Sequence, residues 1–550
     1  MNGTINPESV RCGEPTRFNW QMVCAGTVLM FLFAFGLRVL NIEHEPITDE
    51  LYHLLAAASW ANDGTLAIAD GEYRRASLFT KLIGVVYGAT SGDVISIRLF
   101  CIAIGSLLVA AVFLWSARNI GLLGAIIAAL LLSLMPGAIF LSQHIRFYSL
   151  HALIFFLIAA GIYALVTKPA PFLHRAVLGL ALILLLLLDV HLQVTTLVGL
   201  AGICAWIVLY YHSSILDWIR KGGISSLIIF SLVFAFLAFA YFGRSMVGDL
   251  VGVYQSSAMW NTGDSPTYYH DFYKQQLGAF WSLAPVAFLI AVIARPKPAI
   301  FCICIFVVAL VVQSFGGMRS ERFLFYAMPF FFIIWGIAGS AIFHWLKSQT
   351  RTLLTESGLV SAEGVLGKVA PVSLIGLAAM FLLLSTPAIT MSARMVSGRT
   401  AVSSGPPVYW DRYSTDWESA SSELRRLADE VEVTLVSQAL QSLYFIGDYD
   451  YSISATALAD IRSSGSANNI DPRTGRTIFD DEDTLKTILR CNKSGIVIIH
   501  APAWRKRTRV TNLVADVIEA NMSKLEVPEK WGLLVYRWRS SPDSPDCSSD

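Results

Sequence analysis

The sequence predicts a polytopic α-helical membrane protein that ends in a small α/β domain. Of its 550 residues, 55% are hydrophobic and only 15% are charged, which lies outside the range of soluble domains of this length. Apolar runs of about 20 residues, long enough to cross a bilayer as one helix, recur until about residue 390. From residue 395 onwards the apolar runs shrink to strand length and charged residues return, which indicates a second domain of different architecture.

Charge and cysteine usage exclude several classes of protein. The 41 Lys and Arg residues almost balance the 40 Asp and Glu residues, and no basic stripe is present, so nucleic acid is not expected as a partner. The eight cysteines are scattered, and Cys302 and Cys304 lie too close together in an apolar segment to form half of a zinc site. Cys491 and Cys547 are able to pair in an oxidising compartment, although the polar tail around Cys547 argues against it.

The spans are predicted as one helix for each apolar run. The first, Gln21–Asn41, is too long for a signal peptide and is not followed by a small-residue cleavage site, so we expect it to be retained. Ten further runs have the same character: 95–116, 121–142, 147–166, 175–190, 194–211, 224–243, 277–294, 299–316, 322–345 and 370–391. Together they predict about eleven crossings.

Two shorter helices are predicted to lie along the membrane surface, near residues 48–62 and 76–90. In the first, Thr48 is a suitable N-cap, and two adjacent acids, Asp49 and Glu50, occupy the first turn. Helical periodicity gives this helix an apolar face and a polar face. The apolar face is formed by Leu51, Leu54, Leu55 and Ala58, and the polar face by Asp49, Tyr52 and His53. Such a helix presents its acids at the lipid–water boundary. The alternative is that the acids only complement the helix dipole.

The distribution of Lys and Arg predicts the orientation of the spans. With a cytoplasmic N-terminus, one set of loops holds most of the cations: Arg118, Lys168, Arg175, Arg220, Lys221, Arg295, Lys297, Lys347, Arg351 and Lys368. The positive-inside rule assigns these loops to the cytoplasm, so Asp49, Glu50 and the region after residue 391 face outward. The outward side nevertheless carries seven cations: Arg74, Arg75, Lys81, Arg146, Arg244, Arg319 and Arg322. Charges kept at membrane depth in spite of their free-energy cost suggest a binding role.

We place the membrane domain, with its two surface helices, at residues 1–394 and a soluble α/β domain at 395–540. Helical and β-rich runs alternate in the second domain: 416–430, 433–436, 484–490, 495–499, 510–521 and 532–536. This domain has no Gly-rich phosphate fingerprint and no nucleophile elbow, so we assign it no catalytic role. The Ser-, Pro- and Asp-rich tail at 541–550 is predicted to be disordered.

An outward acid together with cations at lipid depth suits the transfer of a group from a lipid-linked phosphate. Arg and Lys hold the anionic head group and stabilise the negative charge that builds on the phosphate oxygen as the group leaves. If the group is a sugar, a carboxylate is needed to deprotonate or orient the attacking acceptor. Adjacent helix positions differ by about 100°, so only one of Asp49 and Glu50 is able to point at the donor.

Particular side chains are assigned to this chemistry, each with a structural alternative. The catalytic candidates are Asp49 and Glu50, and those for the donor phosphate are Arg74, Arg75, Lys81, Arg146 and Arg322. Candidates for the surrounding pocket are His53, Tyr148, Asp189, His191, Arg244, Arg319 and Tyr326. The alternatives are an interfacial anchor for Arg146, a salt bridge of Arg319 or Arg322 with Glu321, a satisfied Asp189–His191 pair, and a surface position for His53. Arg319 and Arg322 share a helical face if their helix begins early.

Several motifs resemble those of the GT-C superfamily of membrane glycosyltransferases. They are Asp49-Glu50 on the first outer loop, Ala76–Lys81, Ser96-Ile97-Arg98-Leu99, Ser116-Ala117-Arg118, Ser142–Leu150 and Glu321–Pro329. Their order over residues 22–345 is most similar to the branch that contains the protein O-mannosyltransferases and the lipid A aminoarabinose transferases. This resemblance implies an inverting transferase with a polyprenyl-phosphate sugar donor and the first-loop acid at the acceptor or the anomeric centre.

One motif departs from the family pattern. Many relatives have Lys-Pro-Pro at the second surface helix, with the Lys on the donor phosphate, whereas this chain has Tyr73–Leu78. The resemblance then implies that Arg74 or Arg75 takes over the phosphate contact, with Lys81 further along the helix.

We therefore expect a multi-pass enzyme of a bacterial inner membrane, with its active site and C-terminal domain in the periplasm. It would transfer a sugar from polyprenyl phosphate to an acceptor lipid, glycan or protein. No Asp-x-Asp pair stands in the first loop, so we expect no metal, and no other cofactor is implied.

Two other functions remain open. A transporter or flippase of lipid-linked saccharide also needs cations at lipid depth, but neither repeats nor paired broken spans are visible in the sequence. A polysaccharide polymerase or ligase would instead consume a diphosphate-linked oligosaccharide.

Overall fold

The computed structural model describes residues 20–218, 266–316, 319–356, 373, 386–397, 415–463 and 468–540. The chain divides into two compact units. We call Met1–Ile42 with Leu99–Arg399 the helical unit, and Glu43–Arg98 with Thr400–Asp550 the sheet unit.

Apolar segments of the helical unit form helices because backbone within a bilayer must satisfy its own hydrogen bonds. The helices are Trp20–Val39, Val94–Asn119 (its first residues belong to the sheet unit), Leu122–Ser133, Pro136–Gln143, Tyr148–Thr167, Phe172–Leu192, Thr196–Trp218, Tyr268–Leu277, Ala279–Ser282, Ala284–Ala294, Pro296–Ser314, Glu321–Leu324, Met328–Glu356 and Pro387–Ser397, with a 3-10 turn at Phe325–Ala327. Large apolar side chains such as Leu29, Leu180 and Leu289 are more than 60% exposed on them. Such surfaces suit contact with lipid.

Within the described residues, six helices are long and apolar enough to cross a membrane, or seven if one bent pair forms a single span. The prediction of a multi-pass membrane protein is confirmed, but the count of about eleven spans is not. The predicted span 224–243 and most of 370–391 lie outside the described residues. The predicted span 277–294 is interrupted at Leu283, which separates two short helices.

The predicted single span 121–142 is a broken helix. Its two parts, Leu122–Ser133 and Pro136–Gln143, are bent by 62° relative to each other. Pro136 begins the second part, because its ring restricts the preceding residue and its nitrogen lacks a hydrogen-bond donor. Beyond the bend, Ser142 Oγ accepts a hydrogen bond from Arg38 Nε at 3.1 Å. This contact joins two buried polar side chains of the helical unit.

The sheet unit contains a small hairpin and a larger mixed sheet. The hairpin pairs β1 (Ala67–Ile68) with β2 (Gly71–Glu72). The sheet has the order β5-β4-β3-β6-β8-β7, with the strands β3 (Val433–Val436), β4 (Tyr451–Ile453), β5 (Thr477–Phe479), β6 (Ser494–His500), β7 (Ser523–Leu525) and β8 (Leu533–Arg539). Strands β3, β4, β5 and β6 are parallel, and β8 is antiparallel to both β6 and β7.

Helices cover both faces of this sheet. Successive side chains of β6 alternate between two apolar cores, with Val497 and Ile499 in one and Ile496 and Ile498 in the other. The helices of the unit are Thr48–Asp63, Ser77–Ala89, Trp417–Asp429, Ala439–Gln441, Ala455–Ser463, Glu482–Cys491 and Asn512–Asn521, with a π-helical turn at Ser442–Ile446 and 3-10 turns at Ala501–Ala503 and Glu529–Trp531. The predicted α/β architecture of the C-terminal region is confirmed.

The first outer loop groups with the C-terminal region in one compact unit. Residues Glu43–Arg98 group with Thr400–Asp550, whereas the prediction joined them to the membrane spans at 1–394. Polar contacts hold the loop in place. The Glu45 carboxylate accepts hydrogen bonds from the backbone N–H groups of Trp417 (3.2 Å) and Glu418 (2.6 Å), at the start of a helix.

A close backbone approach completes this attachment. A Cβ atom added to Gly71 would lie 2.3 Å from the carbonyl carbon and oxygen of Arg473, so only glycine fits there. Gly475 has a φ of +70°, which L residues rarely adopt, and a Cβ atom there would meet Asp70. The Asp70 backbone N–H also donates to the Thr474 carbonyl at 3.1 Å.

His500, at the end of β6, makes the stability of the sheet unit depend on pH. Burial and the positive charge of Arg509 both lower its pKa. Its unfolded pKa of about 6.5 is higher, so stability is fully present above that value and is lost as the pH falls towards the folded pKa. We expect the midpoint temperature of unfolding to decrease when the pH is lowered from 7.5 to 5.5. The variant His500→Gln should show a smaller decrease. An unchanged pH profile in His500→Gln would exclude this role.

Candidate active site

The N-cap of the helix Thr48–Asp63 is not the predicted Thr48. Its N-cap is Ile47, whose backbone N–H donates to Glu50 Oε2 at 3.1 Å. Glu50 thus closes the reciprocal half of a capping box, and Thr48 is already inside the helix. The Thr48 hydroxyl instead accepts a hydrogen bond from Gln441 Nε2 at 2.6 Å.

Glu50 is fully buried in an ion pair. Its two carboxylate oxygens accept from Arg98 Nη2 at 2.7 Å and Arg98 Nε at 3.0 Å, and the two side chains are 0% and 1% exposed. Arg98 also donates to the His44 carbonyl at 2.5 Å. A buried bidentate pair of this kind is a structural element, so of the two predicted catalytic acids Glu50 is the less suited to proton transfer.

Asp49 occupies a rigid position beside this pair. It is half-buried in the first turn of the helix, between Thr48, held by Gln441, and Glu50, held by Arg98. One turn on, the Tyr52 hydroxyl accepts from Arg473 Nη1 at 2.5 Å. These neighbouring contacts fix the backbone that carries Asp49, as a catalytic carboxylate requires.

The predicted polar face of this helix is wrong in one respect. His53 is fully buried, rather than exposed on the surface. Its Nδ1 lies 2.9 Å from Thr80 Oγ1 and its Nε2 lies 3.4 Å from the Tyr73 hydroxyl, while the Phe79 ring packs edge-on against it. These partners all come from the second surface helix or the residues just before it. His53 therefore joins the two surface helices.

Two of the three predicted cations near the second surface helix, Arg74 and Lys81, line an open groove. The helix spans Ser77–Ala89, and a cavity of about 530 Å³ at its start is lined by Arg74, Ser77 and Lys81, together with residues of the β1–β2 hairpin. Arg74 is exposed and pairs with Glu72 at 2.6 Å. Arg75 is exposed but is not among the residues that line the groove.

Two predicted phosphate ligands come together in the helical unit. The guanidinium carbon of Arg146 lies 5.5 Å from the centre of the Tyr148 ring, and that of Arg322 lies 5.8 Å from the same ring. Arg146 is buried, and its Nη2 is 3.5 Å from the Tyr148 hydroxyl. Although 176 residues separate them, the two arginines and Tyr148 form one cluster, which we call the arginine cluster.

Arg319 is not on the helical face predicted for it. The helix begins only at Glu321, so Arg319 precedes it, and its Nε donates to the Ser314 carbonyl at 3.1 Å. Arg322 is in the helix. The i, i+3 relationship between the two arginines therefore does not form.

A second buried polar cluster contains a residue that the sequence prediction missed. His151 Nδ1 lies 2.9 Å from Asp189 Oδ1, and the Thr196 hydroxyl donates to Asp189 Oδ2 at 2.9 Å. The predicted pocket residue Tyr326 packs against the His151 ring, with ring centres 5.1 Å apart. The partner of Asp189 is therefore His151, and the predicted partner His191 is a half-buried neighbour on the same helix as Asp189.

Two chain segments connect the cluster of His151 and Asp189 with the arginine cluster. His151 is one helical turn after Tyr148, and Tyr326 follows Arg322 by four residues. Within the described residues, His151 Nε2 is a buried nitrogen without a hydrogen-bond partner. A carboxylate that orients an imidazole and leaves its second nitrogen available is a common feature of binding and catalytic sites.

Two further predictions concern Arg244 and the use of a metal ion. Arg244 lies outside the described residues. In the part of the chain that the structure describes, no three His, Cys, Asp or Glu side chains cluster as metal ligands would. Independence from metals stays a prediction.

Comparison with known proteins identifies the fold. No protein-family model matches the chain, and no curated protein matches it by sequence. The structure of ArnT from Cupriavidus metallidurans bound to undecaprenyl phosphate superposes with a TM-score of 0.58 and 13% identity, covering 95% of this chain and 98% of that one. The chain has the GT-C glycosyltransferase fold.

A second GT-C structure supports the same assignment. The archaeal oligosaccharyltransferase AglB from Archaeoglobus fulgidus, in complex with an inhibitory peptide and a dolichol-phosphate, matches with a TM-score of 0.56 and 13% identity. The match covers 96% of this chain and 75% of AglB. The predicted resemblance is therefore confirmed at the level of the fold.

Proposed function

We propose that the chain is an inverting glycosyltransferase that moves a sugar from a polyprenyl phosphate to a lipid, glycan or protein acceptor at the outer face of a bacterial inner membrane. The observation that carries this proposal is the arginine cluster, in which two guanidinium groups lie 5.5 Å and 5.8 Å from the centre of one tyrosine ring in a chain with the GT-C fold. Guanidinium groups bind phosphate oxygens through paired, charge-assisted hydrogen bonds. In the ArnT and AglB structures the bound lipids are undecaprenyl phosphate and a dolichol-phosphate.

The proposed reaction assigns separate roles to the acid and the cations. The bond between sugar C1 and the phosphate oxygen breaks, and its electron pair remains on that oxygen. Arg146 and Arg322 stabilise the charge that develops there. A nucleophilic atom of the acceptor attacks C1 from the opposite face, and its proton passes to the Asp49 carboxylate.

The groove at the second surface helix has a separate role. Arg74 and Lys81 line it together with the acids Asp70 and Glu72. Arg74 is already paired with Glu72 on the surface. We therefore propose that Arg74 and Lys81 lie along the path that the donor or acceptor head group takes to the site. Arg75, which does not line the groove, has the weakest claim among the predicted phosphate ligands.

A disulfide supports the assignment of the sheet unit to an oxidising compartment. Cys491, at the end of the helix Glu482–Cys491, is disulfide-bonded. Disulfides persist in the periplasm and outside the cell but are rare in the cytosol. This agrees with the outward orientation that the Lys and Arg distribution predicts.

A transfer assay tests the function. The purified chain is added to membranes from a host strain that lacks it, together with polyprenyl monophosphates that carry different radiolabelled sugars. We expect one of these donors to label an acceptor in a reaction that depends on the chain. Labelling only from diphosphate-linked oligosaccharides would favour a polymerase or ligase. Movement of labelled lipid across sealed vesicles without any transfer would favour a flippase.

The arginine cluster predicts a binding defect that needs no acceptor. Arg146→Ala and Arg322→Ala should each weaken the binding of undecaprenyl phosphate by roughly 10- to 100-fold, because each removes charge-assisted hydrogen bonds to phosphate. Titration of the lipid by native mass spectrometry measures this. Arg175→Ala, at an exposed arginine of the same unit, is the matched control and should bind normally. Equal affinities in all three variants would remove the phosphate role.

A further inference from the structure

A cavity outside the proposed site lies between three helices of the helical unit. It has a volume of about 300 Å³ and is formed by Val94–Asn119, Tyr148–Thr167 and the segment from Lys168 into Phe172–Leu192. Its walls are mostly apolar or aromatic, and include Leu114, Trp115, Phe156, Leu157, Ala160 and Leu178. The cavity is therefore suited to hydrocarbon.

Two cations stand together where the helices end. Arg118 is in the last turn of its helix, Lys168 directly follows Thr167, and both are exposed residues that line the cavity. Partial burial and the charge of Arg118 both lower the pKa of Lys168, in keeping with two neighbouring cations. The guanidinium of Arg118 also lies 4.8 Å from the centre of the Trp20 ring, which fixes its direction. No acidic residue is among those that line the cavity.

The surrounding surface is suited to lipid. Leu157 in the cavity wall is 41% exposed, and Leu180 on the adjacent helix is 61% exposed. Both cations belong to the loops that the positive-inside rule assigns to the cytoplasm, where anionic lipids give the membrane surface a negative potential.

We infer that this cavity binds an anionic glycerophospholipid, with its phosphate on Arg118 and Lys168 and part of an acyl chain against Leu157 and Ala160. An apolar cleft with two unopposed charges at its end matches an amphiphile whose anionic head joins an apolar tail. A zwitterionic lipid carries a compensating positive charge and fits less well. This site lies apart from the proposed transfer chemistry, so its function is to hold a structural or regulatory lipid.

Native mass spectrometry of the full chain in detergent tests the site. Phosphatidylglycerol and phosphatidylcholine with identical acyl chains are titrated in parallel. We expect phosphatidylglycerol to bind more tightly, and Arg118→Gln with Lys168→Gln to weaken it by roughly 30-fold, since each cation near a membrane surface contributes about 5-fold. The matched control is Arg295→Gln with Lys297→Gln, which removes the same charge from another predicted cytoplasmic loop and should leave binding unchanged.

A second variant tests the apolar part of the cavity without a change of charge. Ala160→Phe fills the cleft and should also abolish the tight binding of phosphatidylglycerol, provided that its unfolding midpoint matches that of the wild type. Equal affinity for the two lipids, or an equal loss in the control double variant, would overturn the inference. The inference would also be overturned if undecaprenyl phosphate bound through Arg118 and Lys168 and phosphatidylglycerol did not. The occupant of the cavity would then be the sugar carrier.

Discussion

Asp49→Asn is expected to reduce sugar transfer by roughly 100- to 10,000-fold, the range usual for the loss of a general base. Asn has nearly the same shape as Asp but cannot accept the proton of the acceptor. The helix that carries it should remain intact, because its anchors are Thr48, Glu50 and Tyr52. Initial rates from a saturating labelled donor measure the effect, and binding of undecaprenyl phosphate should stay within about 3-fold of the wild type.

The matched control for this prediction is Asp63→Asn. Asp63 is the last residue of the same helix and is exposed, so the same chemical change there should leave transfer unaltered. An Asp49→Asn enzyme with wild-type rates would show that another group takes the proton. The other candidates are Glu50 and the His151–Asp189 pair, and a His151→Gln variant distinguishes them.

Removal of either partner of the buried Glu50–Arg98 pair should destabilise the sheet unit by about 3–5 kcal/mol. Glu50→Ala removes the carboxylate that pairs with the buried Arg98 guanidinium, and Arg98→Ala removes the guanidinium that pairs with the buried Glu50 carboxylate. Chemical unfolding of the chain in detergent, followed with a probe of the sheet unit, measures this loss in the free energy of unfolding. Transfer activity should fall with the folded fraction.

An exposed pair in the same unit serves as the control. Glu72 and Arg74 are 2.6 Å apart, but their side chains are 63% and 82% exposed, so Glu72→Ala should produce no measurable change in stability. The double variant Glu50→Leu with Arg98→Met should be more stable than either single variant, because no buried charge is left alone. If Glu50→Ala is as stable as Glu72→Ala, the structural role of Glu50 is wrong and it becomes a candidate base again.

Much of the local structure of the first outer loop was predictable. Apolar periodicity placed surface helices near 48–62 and 76–90, and the structure has them at Thr48–Asp63 and Ser77–Ala89. In the C-terminal region, the β-rich run 433–436 is β3. These features depend on neighbouring residues, which a single sequence contains.

The roles of individual polar residues were less predictable, because their partners are distant in the chain. Glu50 is separated by 48 residues from Arg98, and His151 by 38 residues from Asp189. No local pattern distinguishes Asp49 from Glu50, although burial separates them clearly in the fold. For His151, the available signal was a histidine inside an apolar segment, which by itself suggests a functional site.

The broken span has a local signal in the sequence. Pro136 lies inside the apolar run 121–142, and a proline within a helical pattern ends or kinks the helix before it. The attachment of the first loop to the C-terminal domain had no such signal. Gly71 and Gly475 are recognisable as contact points only when both segments are seen together.

An experimental structure of the chain with undecaprenyl phosphate is the decisive measurement for the proposed transferase function. We expect phosphate oxygens within about 3 Å of both the Arg146 and the Arg322 guanidinium groups, beside the Tyr148 ring. A phosphate bound elsewhere, with both arginines turned away from it, would contradict it.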